Sequence, residues 1–186
     1  MELNKQETKK YMNIFMGGMI LTSLITAWIM AKNLQLDESK ERFKLTKDYK
    51  RIKKEDYTYK PESGKQLYNT LCSKCHLSSG LGTVQTPPLV GSLIAINRPE
   101  LFLKIIVKGL NGKIERNGRH YNSVMPQFKA IGHYDLAHIA NYIILDLNKK
   151  KDAEVHPVEV VKAKVDTLKI KGALKPSDLQ ASKLKP

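Results

Sequence analysis

Two thiols and one imidazole stand together in the segment Cys72-Ser73-Lys74-Cys75-His76. The chain of 186 residues has no other cysteine, so a disulfide framework of the secreted kind is excluded. Thiols three positions apart, at the end of a helical turn, can reach the two vinyl groups on one edge of a porphyrin. The next residue then points its imidazole at the iron. The spacing predicts one haem c, covalently attached through Cys72 and Cys75, with His76 as an iron ligand.

Two other uses of a Cys-x-x-Cys pair fit the surrounding residues less well. A thioredoxin-like redox pair belongs in a β-α-β context, whereas Leu67 and Leu71 lie four positions apart, which is typical of a helix. A zinc site needs two further ligands at matching spacing, and the chain has no second cysteine pair. A thiol-redox assembly factor stays an alternative, and it predicts a colourless protein with two alkylatable thiols.

The sixth iron ligand decides between electron transfer and ligand binding at the iron. Five of the six methionines belong to the N-terminal region, which leaves Met125 in the part of the chain that follows Cys72. Pro126 restricts the backbone of Met125. We expect Met125 to be the axial ligand opposite His76. The alternatives are three histidines that would make a bis-His centre of lower potential: His120, His133 and His138.

The segment from Gly64 to about Leu147 resembles the class I monohaem cytochromes c. Beyond the haem-attachment motif, the resemblance is carried by Gly64, Tyr68, Pro87-Pro88-Leu89-Val90-Gly91, Met125-Pro126 and Tyr142. It implies an all-α fold, in which a small domain of three or more short helices surrounds the covalent haem and the first and last helices cross closely. It also implies that Pro87 presents its backbone carbonyl to the imidazole of His76, which fixes the ring orientation.

Two positions depart from the pattern of that family. Leu77 stands where a glycine usually follows the haem-binding histidine, and Thr86 stands where a glycine usually precedes the loop proline. Neither residue takes part in ligation. The departures therefore concern only the local turn geometry.

Hydrophobic periodicity predicts three helices in the haem domain. The first starts at Glu62 or Ser63 and runs into the cysteine motif. The second starts at Pro99 and ends at Gly109, and the third is capped by Asp135. The core of three short helices is thin, and the haem would supply the missing apolar mass. The candidates for its apolar shell are Val84, Leu89, Val90, Leu93, Ile94, Phe102, Ile106, Val124 and Phe128.

The N-terminal part predicts a membrane anchor followed by a tether. Residues 11–31 carry no charge, and a helix of that length covers about 31 Å of hydrocarbon. We interpret residues 1–10 as cytoplasmic, 11–31 as a transmembrane helix and 32–60 as a charged and partly helical linker. The haem domain is expected at residues 61–150. Residues 151–186 are expected to form a basic tail that is disordered or docked on a partner. A cleaved signal peptide is the alternative, although its apolar region spans only ~7 to 15 residues.

The expected ligation indicates an electron carrier and no enzyme. With His76 and Met125 on the iron, no position is left for a substrate. The family attaches its haem outside the cytoplasm, so the anchor is expected in a bacterial inner membrane with the haem domain in the periplasm. We expect a tethered shuttle or subunit between a quinol-oxidising complex and a terminal oxidase or reductase. A haem-based gas or redox sensor with an open or labile sixth position is the alternative.

An excess of positive charge limits the class of partner. Lys and Arg number 32 against 18 Asp and Glu, which gives a formal charge of +14. We expect the lipid bilayer and membrane-bound redox complexes with an acidic docking surface as partners. Nucleic acid is not expected, because no recognition motif occurs and aromatic residues make up 7%. A small-molecule substrate is not expected, because two protein ligands would occupy the iron. The basic residues expected near the haem edge are Lys74, Lys104, Lys108, Lys113, Arg116, Arg119 and Lys129.

Overall fold

The computed structural model describes residues 5–53 and 56–179. The chain divides into two compact units, of which the first extends to Phe43 and the second begins at Lys44.

A single helix, α1 (Lys5–Arg51), contains the predicted anchor and most of the predicted linker. From Phe15 it is long and apolar enough to cross a membrane, by length and composition, and its most apolar window has no buried residue. A charged and partly helical linker is expected for residues 32–60, and the structure makes it helical as far as Arg51. No Gly or Pro interrupts this stretch, and Glu38 and Arg42 have the i,i+4 spacing that favours a helix.

The second unit is mostly helical. In chain order it contains α2 (Pro61–Leu71), α3 (Ser73–His76), α4 (Leu93–Asn97), α5 (Pro99–Lys108), β1 (Ile114–Arg116), β2 (Arg119–Tyr121), α6 (His133–Asn141), its π-helical continuation (Tyr142–Leu147), α7 (Pro157–Thr167) and a short 3-10 helix (Pro176–Leu179). The seven α-helices of the described residues confirm the predicted all-α class. The antiparallel hairpin of β1 and β2 was not predicted. Asn117 and Gly118, both at positive φ, form its tight turn.

The helix ends follow the local sequence signals closely. α5 starts at Pro99 and is capped by Gly109, as predicted. α6 starts at His133 with Gly132 at the cap position, so the prediction that Asp135 caps this helix is wrong. Asp135 lies instead in the first turn, where a carboxylate is favourable to the helix dipole.

α2 crosses α6 at a point of very close approach. A Cβ atom on Gly64 would lie 2.6 Å from the carbonyl oxygen of His138 and 3.0 Å from the Cβ of Tyr142, so only glycine fits there. One turn later Tyr68 is fully buried, with its ring centroid 5.1 Å from that of Tyr142. The structure thus has the close crossing that the family resemblance implies, and the crossing sets the direction in which α2 enters the cysteine motif.

Residues 151–186 fold back onto the domain as far as they are described. Val160 and Val161 of α7 are fully buried in the packing of α7 against α5 and α6. Lys104 of α5 forms an ion pair of 2.8 Å with Asp166. The expectation of a disordered or partner-docked tail is wrong for this part, because the apolar face of α7 finds its partner within the same domain. The end of the chain lies outside the described residues.

Candidate haem site

A single turn of backbone holds Cys72, Cys75 and His76. The carbonyl of Cys72 accepts hydrogen bonds from the N–H groups of Cys75 at 3.2 Å and His76 at 2.9 Å. Cys72 is partly buried and Cys75 is exposed. Burial, with a smaller effect of nearby Cys75, raises the pKa of the Cys72 thiol to about 12. Because a thiol-redox pair needs a lowered thiol pKa, this arrangement does not support the thiol-redox alternative.

The imidazole of His76 is buried and fixed in one orientation. Its Nδ1 lies 3.0 Å from the carbonyl oxygen of Pro87. A carbonyl only accepts, so Nδ1 carries the proton and donates, and Nε2 keeps a free lone pair. Burial lowers the pKa of His76, opposed by the bond to Pro87. The ring is therefore neutral at pH 7 and suited to bind a metal through Nε2.

Gly82 lets the loop that contains Pro87 close over His76. Its N–H donates to the His76 carbonyl at 3.0 Å, and a Cβ on it would lie 2.8 Å from the carbonyl carbon of Pro87. Thr86 needs no glycine here, because it is not among the described residues with positive φ, and its N–H donates to the hydroxyl of Thr83 at 3.1 Å. The sequence analysis missed Gly82, and its only signal is a glycine in a short loop after the motif.

Met125 is held through its backbone by a second loop. Its N–H donates to the carbonyl of Leu110 at 2.9 Å, and the N–H of Leu110 donates back at 3.1 Å. Gly109 has a φ of 72°, and a Cβ there would lie 2.9 Å from the carbonyl carbon of Pro126. Gly109 therefore ends α5 and also makes room for the loop of Met125, which is a role that the sequence analysis did not assign to it.

One side-chain hydrogen bond links the two loops. The hydroxyl of Ser123 donates to the carbonyl of Gln85 at 2.6 Å. Val84 and Val124, which flank these residues, are 74% and 63% exposed, and Leu93 is 70% exposed. Val84 is therefore a surface residue, whereas Val124 and Leu93 are largely exposed and border the cavities of the site at their outer edge.

His76, Pro87 and Met125 line the same cleft. It consists of two adjoining cavities of about 140 Å³ and 490 Å³, and all three residues border both. Cys72 and Cys75 line the smaller cavity. The predicted shell residues that line these cavities or the small apolar space beneath them are Leu89, Leu93, Ile94, Phe102, Ile106, Val124 and Phe128. The structure thus brings every predicted site residue to one apolar cleft.

The three alternative histidine ligands do not line this cleft. His120 is exposed on β2, and His133 is the first residue of α6. The Nδ1 of His138 lies 3.2 Å from the hydroxyl of Tyr57. Among the candidate ligands, the geometry therefore favours Met125.

Arg116 provides a test of whether the cleft fits a haem. Its Nη2 donates to the carbonyl of Val90 at 2.9 Å. Its Nε is buried and has no hydrogen-bond partner within the described part of the chain. Arg116 and Lys113 both line the larger cavity. A buried charged donor without an acceptor requires one, and a haem brings two carboxylates, so these residues fit the group.

Only part of the expected basic rim is at the surface. Lys74, Lys113, Arg119 and Lys129 are exposed. The expectation is wrong for Lys104, which is 5% exposed and paired with a carboxylate of α7. The other two predicted members, Lys108 and Arg116, are partly buried and donate to backbone carbonyls.

Comparison with known proteins gives the family. A sequence profile of the cytochrome c family matches residues 61–144. Cytochrome c-552 of Thermus thermophilus is 31% identical over 107 residues, which cover 53% of this chain and 81% of that protein. Cytochrome c-552 from a named strain of the same species is also 31% identical, with 72% of its length covered. This chain belongs to the cytochrome c family.

As a cytochrome c, the protein is an electron carrier with covalently bound haem c. The profile match contains both cysteines of the Cys-x-x-Cys-His site as well as Met125. It ends before α7, and it begins after α1. The two terminal helices are therefore features of this chain outside the matched segment.

Proposed function

We propose that this cytochrome c is a membrane-anchored carrier that passes single electrons between respiratory complexes. The observation that carries the proposal is that His76 and Met125 line one apolar cleft beside Cys72 and Cys75. The two cysteines would hold haem c by thioether links, while His76 and Met125 would be its two axial ligands. When bound, haem c supplies an iron that alternates between the ferrous and ferric states.

The chain's own residues favour a stable six-coordinate site. The bond from His76 to Pro87 fixes the ring and makes the imidazole a stronger ligand. A thioether on the other side raises the reduction potential relative to a second imidazole. Apolar walls formed by residues such as Phe102 and Phe128 exclude water from the cleft. The result is a centre with no open position for a substrate.

Arg116 would hold one carboxylate of the cofactor. A guanidinium keeps its charge when buried and offers Nε and Nη donors in a fixed plane. Its Nη2 is bonded to Val90, and its buried Nε is a donor without a partner in the described part of the chain, which an anion could use. Arg116 would thereby tie the cofactor to the loop that also contains Pro87.

Support for the anchor comes from α1. The most apolar part of its stretch from Phe15 to Arg51 has no buried residue, and a helix with an unpacked apolar surface of this length suits a lipid environment. We infer a single-pass protein of a bacterial inner membrane with a cytoplasmic N-terminus. The haem domain would then face the periplasm, where haem attachment to cytochromes c takes place. The tether would keep the haem domain near membrane-bound partners.

The exposed basic residues support an acidic partner. Lys74 is adjacent to the exposed Cys75, and Lys113 lines the larger cavity. Positive charge near the site would steer encounters with an acidic surface at rates that fall with added salt. A quinol-oxidising complex as donor and a terminal oxidase or reductase as acceptor fit these requirements.

Carbon monoxide tests the ligation. The spectrum of the reduced wild-type protein should not change on mixing with carbon monoxide, whereas Met125→Ala should bind it promptly and have a lower reduction potential. His120→Ala is the control and should match the wild type, because His120 is exposed on β2. Prompt binding by the wild type would favour the gas-sensor alternative. An unchanged potential in Met125→Ala would mean that another side chain is the ligand.

Membrane fractionation tests the anchor. The full-length protein should stay in the membrane after a high-salt wash, and a variant that carries a cleavable secretion signal in place of residues 1–31 should be released as a soluble red protein. Retention of that variant in the membrane would contradict the anchoring role of α1.

Gentle solubilisation of the membrane, followed by purification of the protein, would identify a redox partner that stays bound to it. Isolation of the protein without any redox complex would argue against a fixed subunit.

A further inference from the structure

Leu110 is paired with two separate segments of backbone. On one side it exchanges hydrogen bonds with Met125 in both directions. On the other side the N–H of Leu174 donates to the carbonyl of Gly109 at 3.1 Å, and its carbonyl accepts from the N–H of Asn111 at 2.8 Å. The backbone segment of Leu110 therefore lies between those of Met125 and Leu174 and forms a β-bridge with each of them.

The side chain of Leu174 adds packing to this pairing. It is fully buried in a small cluster with Leu101 and Ile105 of α5. Leu110 and Met125 pack against the same cluster. Leu174 therefore supports the loop of Met125 through both its backbone and its side chain.

The C-terminal segment, residues 168–179, is tied to α5 at two further points. The ammonium group of Lys108 donates to the carbonyl of Ile170 at 2.6 Å. Arg98, at the start of α5, donates from Nη1 to the carbonyl of Leu179 at 3.2 Å. These bonds lie on both sides of Leu174 in the chain, so the segment is held at its two ends as well as in its middle.

We propose that the C-terminal segment is a positioning element that keeps Met125 on the iron, with Leu174 as its central residue. The proposal rests on the proposed role of Met125 as axial ligand. The segment lies outside the part of the chain matched by the family profile, which ends at residue 144. Met125 itself lies in a loop and not in a helix, so its position depends on what packs and bonds against that loop.

The expected consequence is specific to the Met125 side of the cleft. Packed interiors relax only partly when a side chain is shortened, so Leu174→Ala leaves a cavity beside the cluster against which Met125 packs. The thioether of Met125 would then be held less firmly in the cleft. Attachment through Cys72 and Cys75 involves other elements, α2 and α3, and is not affected.

The experiment compares two leucine truncations in the full-length holoprotein. Leu174→Ala is the test, and Leu103→Ala is the matched control. Leu103 is 1% exposed and lies on α5, where it lines a cavity between α5 and α7 and none of the cavities that Met125 lines, so it loses the same atoms away from the cleft. The probe is carbon monoxide, which replaces the Met125 sulfur on ferrous iron without a change of oxidation state. Thermal unfolding is recorded for both variants.

Leu174→Ala should bind carbon monoxide at least about tenfold faster than Leu103→Ala and should have a lower reduction potential, while both variants keep the covalent haem. Equal rates in the two variants at equal loss of stability would overturn the positioning role and leave the proposed function intact. Rapid binding by the wild type would instead overturn the proposed function. If Leu174→Ala does not accumulate, Leu174→Val, with Leu103→Val as control, makes the same comparison with a smaller cavity.

Discussion

The hydroxyl of Tyr68 donates a hydrogen bond of 2.7 Å to the carbonyl of Leu77. Tyr68 is fully buried at the crossing of α2 and α6, so this bond ties the end of the haem-attachment turn to the centre of the core. Leu77 has a φ of 61° and a ψ of 157°, a region of backbone conformation that is populated almost only by glycine. The residue after His76 is therefore held in a strained conformation by its surroundings.

Leu77→Gly should stabilise the protein. Relief of the backbone strain is worth about 1–3 kcal/mol, and the greater freedom of glycine in the unfolded chain offsets about 0.5–1 kcal/mol of it. The side chain of Leu77 is 43% exposed, so limited burial is lost. We expect a net gain of about 1 kcal/mol in the free energy of unfolding, measured by denaturant titration.

A neighbouring leucine supplies the control for this substitution. Leu81 is 62% exposed, and it is not among the described residues with positive φ. Leu81→Gly should therefore destabilise the protein by about 0.5–1 kcal/mol through chain entropy alone. The same sign of change in both variants would show that Leu77 is not strained.

Gly82→Ala should destabilise the protein and disturb His76. Alanine at positive φ costs about 1 kcal/mol, and the new Cβ would also press on the carbonyl group of Pro87 that accepts from His76. Gly118→Ala has the same φ cost with no atom within 4 Å of the new Cβ. We expect a loss of about 1 kcal/mol for Gly118→Ala and about 3 kcal/mol for Gly82→Ala. Only Gly82→Ala should also shift the reduction potential, and a shift in both variants would contradict this account.

Stability should fall below about pH 6.5 because of His138. Burial lowers the pKa of this imidazole, and its Nδ1 accepts from the hydroxyl of Tyr57, which itself accepts from Asn141. Since the unfolded chain takes up the proton first, stability is complete above the ordinary pKa of about 6.5 and is lost as pH falls through the lowered pKa of the folded state.

The measurement is the thermal midpoint at pH 7.5 and at pH 5. His138→Gln should show a smaller difference between the two values than the wild type does. His120→Gln, a change at an exposed position of β2, controls for the loss of one imidazole and should keep the wild-type difference. A wild-type pH dependence in His138→Gln would place the responsible group elsewhere.

Local signals were sufficient for the parts of the site that lie within a few residues of one another. The spacing of Cys72, Cys75 and His76 is set by one helical turn, and α5 is bounded by Pro99 and Gly109 as predicted. The fold class followed from helical periodicity and the family resemblance. No local pattern connects Met125 to the cysteine motif. Met125 could be predicted as a ligand only because the other five methionines belong to the N-terminal region.

The features that the sequence analysis missed depend on contacts between distant segments. α7 is buried only because α5 and α6 offer it an apolar surface, although a local signal existed: His156 and Glu159 form a capping box before and after Pro157. The close packing of Gly82 on the Pro87 loop has no such signal. The burial of Lys104 also has no local signal, because its ion-pair partner, Asp166, lies on the distant α7.

Arg116→Gln should lower the reduction potential. A partly buried positive charge at the cleft would disfavour the ferric form of the iron, which carries one more positive charge, so removal of that charge would stabilise the ferric form. Taking an effective dielectric constant of ~20, the effect is about 1 kcal/mol, or about 40 mV for a one-electron couple. The measurement is an equilibrium redox titration followed by visible absorption.

Arg119 is the matched control, because it faces Arg116 across the hairpin in the register of β1 and β2 and is exposed. Its charge is screened by water and salt, so Arg119→Gln should shift the potential by much less. Arg116→Lys keeps the charge but lacks the planar fork, so its potential should lie between those of the wild type and Arg116→Gln. Equal shifts in Arg116→Gln and Arg119→Gln would mean that the unpaired Nε does not face the cofactor, and that the charge acts only through the overall field of this basic protein.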